Sequence, residues 1–140
     1  MIKKIYFFGN PLVEKDQLPL LLVDKLKKKF PQVKFILTDP NENFPPKGEK
    51  DLIIIDTVIG ITKPMTLDLD DFSSPKKTPV SPHDYDLLFH LLFLKKLKKI
   101  KTAKIIGLPV MGKKRNLSFL VKEISLLIFS LETNNLTNLR

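Results

Sequence analysis

The sequence predicts an α/β fold, a three-layer α/β/α sandwich around a mainly parallel, twisted sheet with one antiparallel edge strand. Short β-branched runs alternate along the chain with longer segments whose apolar residues recur at helical spacing, and this alternation is typical of α/β proteins. The segment Asp51–Val58 contains an unbroken Leu-Ile-Ile-Ile run, which indicates a central parallel strand buried on both faces. The segment Met65–Phe72 alternates apolar with polar residues, which indicates a half-exposed edge strand.

The first half of the chain predicts two further strands, a helix and a loop. Ile2–Phe8 is an apolar run that ends at a Gly-Asn-Pro turn, so we expect a buried first strand. Gln17–Phe30 is predicted to be helical because its leucines lie at helical spacing, with an aspartate and lysines opposite. Val33–Thr38 is the second strand, and Asn41–Lys50 is a loop because it contains two prolines and a glycine.

The second half predicts two helices and one more strand. After a Pro/Ser/Lys loop, a helix is expected from Ser81 to about Lys99, with this serine as its N-cap and a proline at its first helical position. Ala103–Val110 is another buried strand. Asn116–Leu131 is the final amphipathic helix, because its apolar residues recur at helical spacing.

The length and the composition restrict the class of protein. A chain of 140 residues suits one domain with one core, which we assign to residues 1–132, followed by a polar tail over residues 133–140. The absence of cysteine excludes a disulfide framework, a thiolate metal site and a cysteine nucleophile. No apolar run approaches the roughly 18 residues that span a bilayer. We therefore expect a cytoplasmic monomer with no membrane partner.

The formal net charge of +9 leaves two interpretations open. Of the 24 basic residues, all but Arg115 and Arg140 are lysines, which lack the bidentate geometry with which arginine contacts bases and phosphates. Clusters at residues 25–29 and 95–101 lie at the ends of predicted helices, where cations are favourable. We favour solvated helix faces over a surface for a polyanion or an acidic partner. No base-stacking motif accompanies the lysines, so we expect no nucleic-acid partner.

Four polar side chains follow strand ends or begin the next helix. Asp16 comes after the first strand, Asp39 after the second, Asp56 ends the central strand, and His83 lies in the first turn of a helix. Since ligands of open α/β sheets bind beyond the carboxyl ends of the strands, we expect these groups near one crevice. Two carboxylates and an imidazole there are suited to a divalent metal. Each also has a structural alternative: Asp16 as a helix cap, Asp56 in a turn, and His83 in solvent.

For the other candidate motifs we favour a structural interpretation over a binding or catalytic one. His90 lies in an apolar segment, where we predict a partly buried histidine with its hydrogen bond satisfied. Gly9 is a lone glycine without a dinucleotide fingerprint. Asp68, Asp70 and Asp71 lack the downstream glycine and glutamate of a calcium loop, so we predict a solvated edge.

Four blocks of residues occur in a recognisable order. They are Gly9-Asn10-Pro11-Leu12 followed by Asp16, then Asp51-Leu-Ile-Ile-Ile-Asp56, then Ser81-Pro82-His83, then Ile106-Gly107-Leu108-Pro109. In this order and at these separations, over residues 2–130, the chain resembles the NiFe-hydrogenase maturation endopeptidases.

The resemblance implies a protease that removes the C-terminal extension of a hydrogenase large-subunit precursor after nickel insertion. It also implies that Asp16, Asp56 and His83 are the metal ligands, which are residues that the strand ends already indicate. These ligands would engage nickel that the precursor carries, and another divalent metal could bind them in isolation. Asp39 corresponds to a family segment implicated in cleavage, which implies a supporting catalytic or recognition role. The lack of a serine or cysteine nucleophile motif fits hydrolysis by activated water.

The sequence departs from the family pattern at two places. Lys15 precedes Asp16 and no glycine follows soon after, whereas the family usually has a second acid and a glycine there. The segment Asp39-Pro40-Asn41-Glu42 replaces an Asp-Gly-Gly-Thr-like segment, and proline removes a backbone donor and the conformational freedom of glycine. These departures motivate an alternative function, a non-catalytic homologue that binds a metal or a protein partner through the same edge of the sheet.

Overall fold

The computed structural model describes residues 2–8, 17–38, 44–72, 81–82, 85–109 and 117–138. The strands in this part of the chain are β1 (Lys4–Phe8), β2 (Lys34–Thr38), β3 (Asp51–Ile59), β4 (Met65–Asp68), β5 (Ser81–Pro82) and β6 (Thr102–Pro109). The helices are α1 (Gln17–Lys29), α2 (Tyr85–Lys96) and α3 (Leu117–Asn138). The predicted α/β class is confirmed. Among the described residues, no helix combines the length and the apolar character needed to cross a membrane.

The strands form one mixed, mostly parallel sheet. Its order is β2-β1-β3-β6-β4, and the short β5 pairs with β3 outside this path. β1 is parallel to both β2 and β3, and β3 is parallel to β6. β4 lies at one edge and runs antiparallel to β6. The predictions of a central strand over β3 and of an antiparallel edge strand are both confirmed.

Helices cover the two faces of the sheet. Phe7 and Ile55 face α1 and α3, and they share a buried cluster with Ile124 of α3. Ile54 faces the other way and shares a second buried cluster with Leu91 of α2. Because neighbouring residues of a strand point to opposite faces, β3 must be apolar on both, as its isoleucine run predicts.

The segment Ser81–Pro82 is a short strand and not the start of a helix, so the prediction of an N-cap at this serine is wrong. β1 pairs with β3 only as far as Phe7 opposite Ile55, and β3 continues beyond that point. β5 pairs antiparallel with this continuation, with Pro82 opposite Val58. Among the described residues, β5 is the strand that pairs with this part of β3 on that side, and satisfying these backbone groups outweighs the local capping signal. α2 consequently begins at Tyr85.

The predicted edge strand Met65–Phe72 is correct only in its first half, because Leu69–Phe72 forms a 3₁₀ helix. The Asp68 N–H donates to Oδ2 of Asp71 at 2.9 Å, which is one half of a capping box and favours helix entry at this point. The predicted alternation of side chains is confirmed, since Leu67 is buried and Asp68 is exposed.

α3 is longer than predicted. It continues to Asn138, past the expected end at Leu131 and into the segment expected to be a tail. Leu131 itself is buried in the core, so the helix is anchored up to this point. The Thr133 hydroxyl donates to the Phe129 carbonyl at 3.0 Å, and adding further turns to an anchored helix is inexpensive.

α2 is shorter than predicted because it ends in a Schellman motif built on a lysine. The Lys99 N–H donates to the Leu94 carbonyl at 2.9 Å, and the Lys98 N–H donates to the Lys95 carbonyl at 3.0 Å. Lys98 has a φ of 61°, the left-handed conformation for which this position normally has glycine. A side chain costs about 1 kcal/mol there. A lysine is therefore present at a cost in stability.

We expect Lys98→Gly to raise the free energy of unfolding by about 1 kcal/mol, because glycine removes the strain of the left-handed conformation. Urea denaturation measures the change. Lys28→Gly, inside the last turn of α1, is the control and should lower stability by a similar amount. A Lys98→Gly variant that is no more stable than the wild type would contradict this account of the motif.

A hydrogen-bonded cluster attaches the segment after β2 to β1. The Tyr6 hydroxyl donates to Oε2 of Glu49, and the Lys4 ammonium donates to Oε1 at 2.9 Å. Burial raises the pKa of Tyr6, and the hydrogen bond to Glu49 and its charge raise it further. Burial also acts to raise the pKa of Glu49, but the hydrogen bonds from Tyr6 and Lys4 and the charge of Lys4 outweigh it. The pKa of Glu49 is therefore below its ordinary value.

This depressed pKa predicts a specific pH dependence. The ionised form of Glu49 favours folding, so its contribution is complete above the ordinary carboxyl pKa of 4.5 and is lost as pH falls through the lower folded value. Between about pH 5 and about pH 3, Glu49→Gln should therefore lose less stability than the wild type. Urea denaturation at several pH values measures this. A wild-type slope in Glu49→Gln would refute the prediction.

Candidate functional site

The candidate site lies at the carboxyl edge of the parallel strands. β1 ends at Phe8 and β2 ends at Thr38, and these two residues are partners in the sheet. Asp56 follows Ile55, which is the partner of Phe7. Asp56 therefore lies level with the ends of β1 and β2. The prediction that it ends the central strand is wrong, because β3 continues to Ile59.

This edge contains the topological switch point of the sheet, where the order in which strands are added reverses. From β1 the chain adds β2 on one side, and it then crosses to the other side to add β3 and β6. α1 follows β1 and packs on one face, whereas α2 precedes β6 and packs on the other. The connections therefore diverge between β1 and β3, and in open α/β sheets such a divergence leaves a crevice where ligands bind. Asp56 lies on β3, which is one of the two strands beside this divergence.

Asp56 is a buried carboxylate on an otherwise apolar strand. Its residue is 7% exposed, and its Oδ1 accepts a hydrogen bond from the Thr57 N–H at 2.8 Å. It lies on the same face of β3 as Ile54 and Val58, which is the face that α2 covers. Burying a carboxylate is costly, so its presence here favours a functional role.

The carboxylate lines a small pocket between β3, α2 and the 3₁₀ helix. The pocket encloses about 330 Å³, part of which is open to solvent. Among the described residues, the others that line it are apolar: Ile54, Val58, Leu69, Phe72, Leu87, Leu88, Leu91 and Ile105. In apolar surroundings a carboxylate attracts a cation more strongly than it does in water. Asp56 can therefore supply one carboxylate ligand to a cation, and the described lining residues supply no second ligand.

A glycine permits close packing beside Asp56. Gly107 of β6 is the partner of Asp56 in the sheet. A Cβ atom at Gly107 would lie 2.9 Å from Cγ2 of Val58 and 3.0 Å from Cδ1 of Ile61, closer than side chains can approach. Gly107, which belongs to one of the family-like blocks, therefore lets Val58 and Ile61 close over β6 next to the carboxylate.

The other three predicted site residues, Asp16, Asp39 and His83, lie outside the described residues. The structure therefore gives no distance between any of them and Asp56. Within the described ranges, no group of three or more histidine, cysteine, aspartate or glutamate residues is arranged to hold a metal ion. Of the predicted set, the structure positions Asp56 alone.

Phe44 connects β1 to α2 beside the crevice. Its ring lies edge-on to Tyr6 and to Phe8, with centroid distances of 4.9 Å and 5.0 Å. Its carbonyl oxygen lies 2.8 Å from Nε2 of His90. The predicted hydrogen bond of His90 is confirmed, but the residue is exposed and not partly buried, because it lies on the outer side of α2.

The acidic residues at the β4 edge form local interactions. Asp68 pairs with Lys104, and Asp70 Oδ2 lies 2.8 Å from the Lys95 ammonium. Asp71 accepts the hydrogen bond from the Asp68 backbone described above. Asp68 and Asp70 are exposed, so the predicted solvated edge is confirmed for both.

The sequence did not indicate Phe44 or the pocket lining. Phe44 lies in the predicted loop, where its one signal is an aromatic residue among prolines. Leu69 and Phe72 contribute to the pocket because the 3₁₀ helix turns them toward α2. The sequence shows only the alternation of apolar and polar residues up to Leu69. The pocket results from tertiary packing, for which no local pattern exists.

Comparisons with protein-family models, with curated proteins and with solved structures found no match for this chain.

The buried position of Asp56 predicts how substitutions there affect folding. Asp56→Asn keeps an oxygen that can accept the Thr57 N–H, so we expect stability within about 1 kcal/mol of the wild type. Asp56→Ala removes the acceptor and leaves a buried donor, so we expect a loss of about 1–3 kcal/mol. Urea denaturation gives both values.

Asp51→Asn is the matched control, because Asp51 lies at the start of β3, is exposed and accepts a hydrogen bond from the Thr102 hydroxyl at 2.7 Å. It should change stability by less than about 1 kcal/mol. If Asp56→Asn unfolded the protein while Asp51→Asn did not, the charge of Asp56 would be a structural requirement.

Proposed function

We propose that this protein is a metal-dependent processing endopeptidase that removes the C-terminal extension of a NiFe-hydrogenase large-subunit precursor after nickel insertion. The observation that carries the proposal is the buried carboxylate of Asp56 at the divergence between β1 and β3. The ordered sequence blocks that resemble the maturation endopeptidases give the substrate class. The proposed compartment is the cytoplasm, where a cysteine-free chain needs no oxidising environment.

The positions of described neighbours support a common site for the proposed ligands. Thr38, which precedes Asp39 in the sequence, pairs with Phe8 at the carboxyl edge. Pro82, which precedes His83, pairs with Val58 on the side of β3 that faces β1. The chain thus reaches this edge immediately before two of the proposed residues.

The chemistry that we propose depends on an incomplete ligand set. Asp16, Asp56 and His83 supply two carboxylates and an imidazole, which leave coordination positions for groups of the precursor that carries the nickel. Binding through the cargo metal would restrict cleavage to loaded precursor. Hydrolysis then adds the oxygen of water to the scissile carbonyl carbon and a proton to the departing nitrogen. We propose Asp39 as a supporting catalytic or recognition residue in this step.

A second candidate function is a non-catalytic homologue that binds a metal or a protein partner through the same edge. The segment Asp39-Pro40-Asn41-Glu42 favours it, since proline replaces a position where the family has glycine. This candidate retains binding of the precursor but not cleavage.

Incubation with nickel-loaded and nickel-free precursor tests the proposal, with intact mass spectrometry of the large subunit as the readout. We expect loss of the C-terminal extension from the loaded precursor alone. Asp56→Asn should lower the cleavage rate at least about 100-fold while the variant still folds, because the amide is a weaker metal ligand than the carboxylate. Asp16→Asn and His83→Gln should have similar effects, and Asp51→Asn should cleave at the wild-type rate.

The outcomes separate the two candidates. Co-purification of folded protein with loaded precursor, without trimming, supports the non-catalytic homologue. Neither binding nor trimming of any cognate precursor rejects both candidates. Trimming that Asp56→Asn leaves unchanged would remove this carboxylate from the proposed ligand set.

A further inference from the structure

The outer side of α2 exposes a line of large apolar side chains. Phe89, Phe93 and Leu97 follow one another at intervals of four residues and are 62%, 60% and 49% exposed. Leu88 and Leu91, on the opposite side of the helix, are buried against the sheet. The three exposed side chains, which we name the α2 ridge, present apolar area on the order of 300 Å². This area is within the range of the largest apolar patch on a monomeric protein, and such patches are often functional.

One end of the α2 ridge is strongly basic. Between residues 87 and 101 the sequence contains five lysines and no acidic residue. Lys95 pairs with Asp70, whereas the other four are exposed, and we name these four the lysine end: Lys96, Lys98, Lys99 and Lys101. The exposed Lys50 lies beside them, since its ammonium donates to the Lys99 carbonyl at 3.2 Å. Like charges that are clustered in this way repel one another, and an anionic partner relieves the repulsion.

The backbone at Lys98 is a second, independent observation on this surface. Its φ of 61° is a conformation in which glycine is more stable than lysine. Strained positions occur where a side chain has a use that outweighs its cost. A lysine at this position adds a positive charge to the exposed lysine end.

We propose that the α2 ridge and the lysine end bind an amphipathic helix of a partner protein, with acidic residues in its first turn and packed antiparallel to α2. Apolar side chains at intervals of four residues form the kind of ridge that packs into the grooves of another helix. Acidic side chains are favourable at a helix N-terminus, so an antiparallel partner brings them against the lysine end. The proposal does not depend on the hydrolytic function proposed above.

The distribution of charge favours a protein helix over a lipid surface. A helix that lies in a membrane interface divides apolar from basic residues around its circumference. On α2 the division runs along the axis, with Phe89 and Phe93 toward one end and the lysines at the other. Charge at one end of α2 specifies the orientation in which a partner helix binds. A lipid surface has no such orientation to specify.

Fluorescence anisotropy of a labelled synthetic helix tests the proposal on the full chain. The probe has leucines at every fourth position and glutamates in its first turn, and a second probe has glutamines in place of the glutamates. We expect micromolar affinity for the acidic probe, because the apolar area is small. Affinity should fall about tenfold or more for the glutamine probe and on raising NaCl from about 50 mM to about 500 mM.

Variants distinguish this surface from the rest of the molecule. Phe93→Ser and Leu97→Ser, both at exposed positions, should each weaken binding of the acidic probe about tenfold or more. Lys98→Gly should weaken it about threefold although the variant is more stable, so that loss of fold does not explain the effect. The matched controls are Leu126→Ser on α3 and Lys28→Gln on α1, both exposed and on the opposite face of the sheet, and they should bind as the wild type does.

Three results would overturn the proposal. The first is no binding of the acidic probe up to about 1 mM at low salt, which is weaker than a specific interface requires. The second is binding that Phe93→Ser and Leu97→Ser leave unchanged. The third is binding to phosphatidylserine vesicles or to a DNA duplex that depends on the same residues and exceeds binding to the peptide, which would assign the surface to a lipid or to a nucleic acid.

Discussion

Strand β3 pairs with a parallel neighbour on each side and has a helical layer on each face, so its central residues are shielded from water in every direction. Ile55 is fully buried toward α1 and α3, and Ile54 is almost fully buried toward α2. A strand with these side chains needs cover on both faces, and the chain provides it with crossover helices on opposite sides. The position of the crevice follows from this requirement, because connections on opposite faces must diverge somewhere along the carboxyl edge.

Asp56 is the exception within this buried strand. The cost of burying its carboxylate is partly offset by the hydrogen bond from the Thr57 N–H, and Gly107 allows the neighbouring strand to be covered closely. Natural sequences depart from local rules chiefly where function requires it. Asp56 lies level with the ends of β1 and β2. This location is the reason that we propose a functional role for its carboxylate and not a role in folding.

Helix α2 connects the two surfaces proposed here. Its inner side supplies Leu88 and Leu91 to the pocket beside Asp56, and its outer side supplies the α2 ridge. Large apolar side chains therefore lie on both the buried and the exposed side of α2.

Local pattern was sufficient for much of the fold. The positions of β1, α1, β2 and β3 follow from apolar periodicity and turn residues, and the exposure of Asp68 follows from alternation. Local pattern also indicated Asp56, since a carboxylate directly after three isoleucines is unusual in a buried strand. These features depend on neighbours along the chain, which is why they can be predicted without coordinates.

The remaining features depend on contacts between distant segments. Ser81–Pro82 has the local pattern of a helix start, but it pairs with the part of β3 that β1 does not reach. The strand order, the pocket beside Asp56 and the connection from Phe44 to His90 likewise result from packing. The sequence by itself determined which segments are apolar, which are helical and where an unusual carboxylate lies. Only the tertiary structure decided what surrounds that carboxylate and which apolar side chains stay exposed, because burial is a property of the assembled layers and not of any one segment.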